Sequence, residues 1–421
     1  MTQPVATGTG RAEIDFSVYN PFDPEFIKDP FPTLDRMISE YPVAFHTGIN
    51  AWLVSPHHLV MDALRDPRFS TRMTDWADAP PRKPEAEWNL HDRVNANSML
   101  VVDRSEHLRL RRLTNPAFSR RVMDKIEASI ADAIAGIFDE IGDPREFDVA
   151  SEIAIKAPVR SIARMVGVPP EAAELFEHGL GWNSVRAGNP MYSAQERAEF
   201  ATNTLPGLQY ILDMVTARRA CAAPGDDFIG TLIATEEDGE RLTDMEIVSL
   251  IQALVVAGAD TAVDVHTLAI YALLGHPGQR ALLRSRPDLS EAAVVEILRW
   301  GAPGKFGGIP RFPLADTEFG GQLLEKGSFV MPLFSPAWND PAKWPEPRRF
   351  DITRDHSGNI IFGAGPHLCI GLNLVKVQAK LMIEEFERRF GDSAELTGEI
   401  EYDPMHFNAR RMTRLMVRTG A

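Results

Sequence analysis

Apolar residues recur at three- and four-residue spacing from about Pro116 to Asp288, broken only at punctuation such as "GVPPEAA", "AAPGDD" and "GHPGQR". That periodicity turns one face of each segment towards a core and predicts a run of helices. Between Pro303 and Arg354 the texture changes to short β-like runs with turns and many prolines, which adds a minor sheet component. No internal repeat, low-complexity tract or obvious linker interrupts the chain. The pattern reads as mainly α with minor β, with a flexible tail over residues 1–15 and one domain over residues 16–421.

The clearest element is "TDMEIVSLIQALVVAGADTAVDVHTLAIYALLGHP". Thr243 and Glu246 have capping-box spacing at its start, and Pro277 enforces a stop shortly after Leu274. About 32 residues at ~1.5 Å each give a helix near ~48 Å long, apolar almost all round and therefore central. Its middle, "AGADT" from Ala257 to Thr261, is unexpected there. A glycine weakens a buried helix by ~1 kcal/mol, and an Asp beside a Thr must find partners. A packing glycine with a back-bonded threonine would account for it; so would a bulky group lying against Gly258.

Composition narrows the setting. The longest uninterrupted apolar segment, roughly Leu254 to Ala259, falls far short of the ~20 residues that cross a bilayer, and "MTQPVATGTGRAEID" lacks a signal-peptide layout. The expectation is a cytoplasmic protein with no membrane association. A net charge of −15 argues against nucleic acid as a partner. The two cysteines, Cys221 and Cys369, are too few for a disulfide framework or a cysteine-based zinc site.

Cys369 sits in "IIFGAGPHLCIGLNL", where Gly363, Gly365 and Gly371 permit positive φ and let backbone amides approach the sulfur. A helix is predicted directly after it, and amide donors at a helix start favour thiolate over thiol. Such a thiolate suits a nucleophile or an iron ligand, whereas a buried structural thiol is the plainer alternative. A cysteine-protease arrangement is disfavoured, since His367 cannot easily bring its ring onto the sulfur and no partner pattern stands out. Two further pairs occupy single helix faces: Glu296 with Arg299 in "EILR", and His107 with Arg111 in "EHLRLRR". The first alone is usually a surface ion pair. The second is mildly unfavourable unless a common anion lies between the two groups.

In chain order these features run His-x-x-x-Arg, Ala-Gly-x-Asp-Thr, Glu-x-x-Arg and Phe-Gly-x-Gly-x-His-x-Cys-x-Gly. The series resembles the cytochrome P-450 family of haem-thiolate monooxygenases in its soluble bacterial form, from "DPEFIKDPFPTLDRM" through "FNARR". The resemblance implies a helix-rich triangular prism with small β-sheets, and haem between the long distal helix and the proximal cysteine loop. Haem b (iron protoporphyrin IX) would be the cofactor and dioxygen the co-substrate. By the same resemblance, Cys369 would ligate the iron, as thiolates do throughout these enzymes. Gly363 and Gly371 would let amide hydrogen bonds tune that thiolate, His367 would join them in binding the cofactor, and Phe362 would pack beneath the macrocycle. His107, Arg111 and Arg311 would hold the propionates. Glu296 and Arg299 would form a buried pair joined by an arginine of "PEPRRFDITR", foremost Arg349. Gly258 would give dioxygen room, while Asp260 and Thr261 would relay protons. Asn359 stands where bacterial members often carry His, "VKVQ" and "AWNDP" depart from the usual pattern, and "PGKFGGIPR" is unusually glycine-rich.

The family further implies insertion of one oxygen atom into an apolar small molecule by hydroxylation, epoxidation or O-dealkylation. Electrons would come from NAD(P)H through a ferredoxin reductase and an acidic ferredoxin, and the enzyme would be a monomer. Arg109, Arg112, Arg120, Arg121 and Lys125, joined by Lys376 and Lys380, make a basic cluster against the overall charge and would dock that ferredoxin. The expected substrate pocket includes Met99, Leu100, Trp182, Leu254, Ala257, Phe306 and Phe407. A non-turnover haem-binding sensor or assembly-line docking protein, or a peroxide-driven enzyme, would have no obvious need for the acid-alcohol pair.

Overall fold

The computed structural model describes residues 10–420 apart from residue 103; residues 1–9 of the expected tail lie outside the described residues. Internal contacts divide the chain into two compact units.

The first unit comprises the chain up to Pro81, Val295–Cys369 and Tyr402–Arg411. Runs rich in valine and aromatic residues pair there as a four-stranded sheet, in the order Glu13–Ile14, Val43–His46, Ala51–Val54 and Val330–Pro332. Phe45 lies opposite Trp52 in the antiparallel pair, and Val330 aligns with Trp52 in the parallel one. Ala51–Val54 is buried at every position, as a strand covered on both faces should be. Glu13 and Ile14 pair with Phe45 and His46. The expected flexible tail is therefore corrected at residues 13 and 14, because burying Ile14 at the sheet edge orders them. Ile14, Tyr19, Leu34, Met37, Leu53 and Phe306 belong to the core cluster beside the sheet.

The second unit comprises Arg82–Val294, Ile370–Glu401 and the chain from Met412. Helices Arg120–Ile141, Ala157–Val166, Asp244–Gly275 and Leu372–Phe390 pack together in it. The longest, at 32 residues, matches the predicted element. Thr243 Oγ1 accepts from the Glu246 amide at 3.2 Å and Glu246 Oε2 accepts from the Thr243 amide at 2.7 Å, so the capping box forms in both directions. At the other end His276 caps the helix and Pro277 opens the next. This helix is long and apolar enough to cross a bilayer, a property hidden by its interspersed polar residues, yet most of it is buried inside the fold. Met412–Arg418 pairs antiparallel with Glu146–Asp148 and completes the unit's small sheet.

Candidate active site

In the first unit, the cysteine segment folds as tight successive turns. The Gly363 amide donates to Ile360 O at 2.9 Å, the Leu368 amide to Gly365 O at 3.1 Å, and the Cys369 amide to Phe362 O at 2.9 Å. Gly363 and Gly365 adopt φ of +79° and +70°, a conformation that side chains resist. Gly365 also passes close behind a neighbour: a Cβ there would stand 3.0 Å from Leu64 O. Gly371 does not share the positive φ expected of it. With φ −84° it serves as N-cap of the helix beginning at Leu372. Cys369 is exposed at the end of this turn, so the buried structural thiol is excluded. His367 Nε2 lies 3.2 Å from Thr71 Oγ1, and Phe362 is half-buried. Asn359 turns both polar ends onto local backbone, donating to His356 O at 2.7 Å and accepting from the Ile361 amide at 3.1 Å.

The same unit holds a charge network whose central pair has no solvent access. Arg299 grips Glu296 bidentately at 2.7 and 2.8 Å, and both side chains are 0% exposed. Arg299 also donates to the carbonyls of Trp338, Pro347 and Arg349. Glu296 accepts in addition from the Asp351 amide at 3.0 Å and bonds His356 Nε2 at 3.0 Å and Arg354 Nε at 3.3 Å. Burial would raise the Glu296 carboxyl, but the bonds from Arg299 and His356 outweigh it and hold the group below the usual carboxylate range. The expected third arginine is thus corrected from Arg349 to Arg354. Arg349 contributes only its carbonyl, and its largely exposed guanidinium pairs with Glu346 and Asp351.

Arg311 is a buried cation of another kind. It is 2% exposed, and its Nη1 donates to the carbonyls of Ile309 and Pro310 rather than to a carboxylate among the described residues. Burial lowers its pKa to about 10, so it keeps its charge at neutral pH. A buried guanidinium bonded only to carbonyls fits an anionic group such as a haem propionate.

In the second unit, His107 and Arg111 lie one turn apart on helix Arg104–Thr114, as their spacing predicts. Burial and the neighbouring Arg111 push His107 down to about 4, so the pair offers one cation and one neutral imidazole rather than two cations. On the long helix, Asp260 is buried whereas Ala257 and Thr261 are exposed. Thr261 Oγ1 donates to Ala257 O at 2.7 Å, the back-bond anticipated for a threonine in mid-helix. Gly258 is accounted for by packing: a Cβ there would lie 2.7 Å from Ile162 Cδ1 on the neighbouring helix.

The expected pocket residues fall in both units. Phe306 and Phe407 pack together in the first, with ring centroids 5.1 Å apart. The neighbouring Gly307 is a steric requirement, because a Cβ there would sit 1.5 Å from Pro332 O. In the second, Trp182 ends the π-helical stretch Leu175–Trp182, which lies close to the long helix through Gly181 and Val255. Asn183 Nδ2 donates to the His178 and Gly179 carbonyls within that stretch. Leu254 and Met99 are buried and Leu100 is exposed.

Most cations of the basic cluster carry acidic partners. Arg109 pairs with Glu106 and Glu246, Arg112 with Glu237 and Glu240, Arg120 with Asp124 and Glu291, and Lys125 with Asp226. Lys376 and Lys380 pair with Glu291 and Glu127. Arg121 is exposed. Most of these acids come from distant segments, so a count of nearby cations overstates the positive field. Sequence reasoning placed Arg354 only among the three arginines of "PEPRRFDITR", and it missed His356 and Thr71.

Comparisons with known proteins point to one family. A family model described as Cytochrome P-450 matches residues 207–398. The chain is 32% identical over 413 residues to the vitamin D(3) 25-hydroxylase of Pseudonocardia autotrophica, covering 97% of this chain and 96% of that one. It is 29% identical over 375 residues to the epothilone C/D epoxidase of Sorangium cellulosum, covering 88% of each. Among solved structures, an epothilone B-bound cytochrome P-450 superposes with a TM-score of 0.85 at 27% identity, covering 96% of this chain and 100% of that one.

Proposed function

Since the chain belongs to the cytochrome P-450 family and is a cytochrome P-450 monooxygenase, we propose that it inserts one oxygen atom of dioxygen into an apolar small organic substrate, by hydroxylation or epoxidation, while the other becomes water. The observation that carries this reading is the exposed Cys369 thiol at the end of a turn built on two positive-φ glycines. Bound haem b would supply the iron at which dioxygen is activated. Cys369 would hold that iron as thiolate, and Phe362 and His367 would flank it within the same turn. Arg311, Arg111 and the neutral His107 would donate to the propionates, the buried guanidinium of Arg311 gaining the anion it lacks among the described residues. The Glu296, Arg299 and Arg354 network would keep the loop from moving as the iron changes charge.

Asp260 would deliver protons to Thr261 Oγ1, whose hydroxyl releases Ala257 O to pass a proton onward. Met99, Leu100, Trp182, Leu254, Ala257, Phe306 and Phe407 would line an apolar pocket. The names of the relatives attach such chemistry to vitamin D(3) and to epothilones C and D. Electrons would come from NAD(P)H through a ferredoxin reductase and ferredoxin in the cytoplasm, a location in keeping with the burial of the one long apolar helix. Docking of the ferredoxin draws little support from the cluster around Arg109, most of whose cations are already paired.

The test is spectroscopic. The purified protein should show a haem-thiolate Soret band that apolar ligands shift from low to high spin. Cys369→Ser should lose the thiolate signature, and its persistence would remove Cys369 from the iron. In Thr261→Ala, NAD(P)H consumption should uncouple from product by about tenfold; full coupling would end the relay assignment.

A further inference from the structure

Lys305 follows the Glu-x-x-Arg helix and is 1% exposed. Its Nζ donates to Pro404 O at 3.0 Å and to His406 O at 2.8 Å. Backbone bonds join the same two segments. The Lys305 amide donates to Asn408 O at 2.8 Å and the Arg410 amide to Pro303 O at 2.7 Å, and Gly304 bridges Ala409. Behind the lysine, the Tyr19 hydroxyl donates to its carbonyl, and Phe22 presents its ring 4.9 Å from Nζ. Asp403 favours the charge and Arg410 opposes it. Burial lowers the amine's pKa to about 8, so it remains protonated at neutral pH.

A buried ammonium held by carbonyls and a ring is costly to desolvate, and an apolar side chain of similar length would pack there without that cost. What the amine adds is geometry. Phe306 is the residue after Lys305 and Phe407 is the residue after His406, so the two Nζ bonds fix the distance between the segments that carry the two rings. The rings meet at 33° between planes, and Phe22 lies 6.1 Å from Phe306.

We propose that Lys305 is a specificity-determining positioning residue, whose ammonium latches the turn at residues 404–408 to the segment at 303–306 and thereby holds Phe407 against Phe306 as one wall of the substrate pocket. The inference rests on the proposed function, in which both rings face substrate. Lys305 spends its ammonium on the Pro404 and His406 carbonyls, and it lies within the glycine-rich segment that the family resemblance gives to substrate recognition.

A double-mutant cycle on the holoenzyme tests it with two probes that both bind iron through nitrogen, imidazole and phenylimidazole. The ratio of their spectral dissociation constants isolates what the pocket wall contributes to the phenyl group. Lys305→Met and Phe407→Ala should each lower the preference for phenylimidazole by about tenfold, and the double variant should fall no further, because both changes act through one ring. Imidazole itself should bind all four proteins within about twofold. An unchanged preference in Lys305→Met, or losses that add in full, would overturn the latch while leaving the iron site standing. If Phe407→Ala alone leaves the preference unchanged, the pocket reading has failed and the latch falls with it. Should Lys305→Met not yield holoenzyme, Lys305→Arg takes its place in the cycle. Its longer cation must displace the turn, so a preference within about twofold of wild type would likewise overturn the proposal.

Discussion

Glu296 accepts from four side-chain or backbone groups and has no contact with water, so each donor lost leaves charge uncompensated. Arg354→Ala should therefore cost about 2 kcal/mol of unfolding free energy, whereas Arg349→Ala at an exposed pair should cost under ~0.5 kcal/mol. Denaturant titration of both variants checks this, and equal losses would contradict the network described. The Glu-x-x-Arg spacing made the first partnership legible in sequence because both residues share one helix turn. The second was not legible: "PEPRRFDITR" offers three arginines, and only the fold, by laying the Asp351 amide on Glu296, brings Arg354 round instead of Arg349. Cys369 was legible for the opposite reason, since the glycines that shape its turn are its immediate neighbours.

Among the elements, the long helix could be read nearly to the residue, because a capping box and a proline are local signals. The reason for its internal glycine could not, because Ile162 lies far away in sequence. That contrast has a measurable form. At Gly258 an added methyl meets the free end of Ile162, which can rotate away, so Gly258→Ala should change stability by less than ~1 kcal/mol. At Gly307 the obstacle is the Pro332 carbonyl of a sheet strand, which cannot move without breaking its pairing. Gly307→Ala should cost about 3 kcal/mol or more and lower the melting temperature of the holoenzyme accordingly. The glycine-rich departure from the family pattern is thus explained at Gly307 by close backbone approach to the sheet.

For the whole molecule, buried histidines set the acid limit. His107 and His266 are both driven from 6.5 to about 4, chiefly by burial. As pH falls below 6.5 the unfolded chain takes up protons that the folded chain refuses, so their stability contribution is intact above 6.5 and drains away towards 4. Urea unfolding at constant salt should show a decline across that window, led by the fully enclosed His266; a flat profile would contradict its burial. Local charge pairing was the least legible property, since cations cluster along helices whereas most of the acids that answer them arrive from other segments. That pairing has a kinetic consequence. Arg109, Arg112, Arg120, Lys125, Lys376 and Lys380 project short-range dipoles instead of a monopole, so a reductant approaching them would be steered only within the last few ångströms. The bimolecular rate of electron delivery should accordingly fall less than about threefold between low and physiological ionic strength, where an open basic patch would lose an order of magnitude or more.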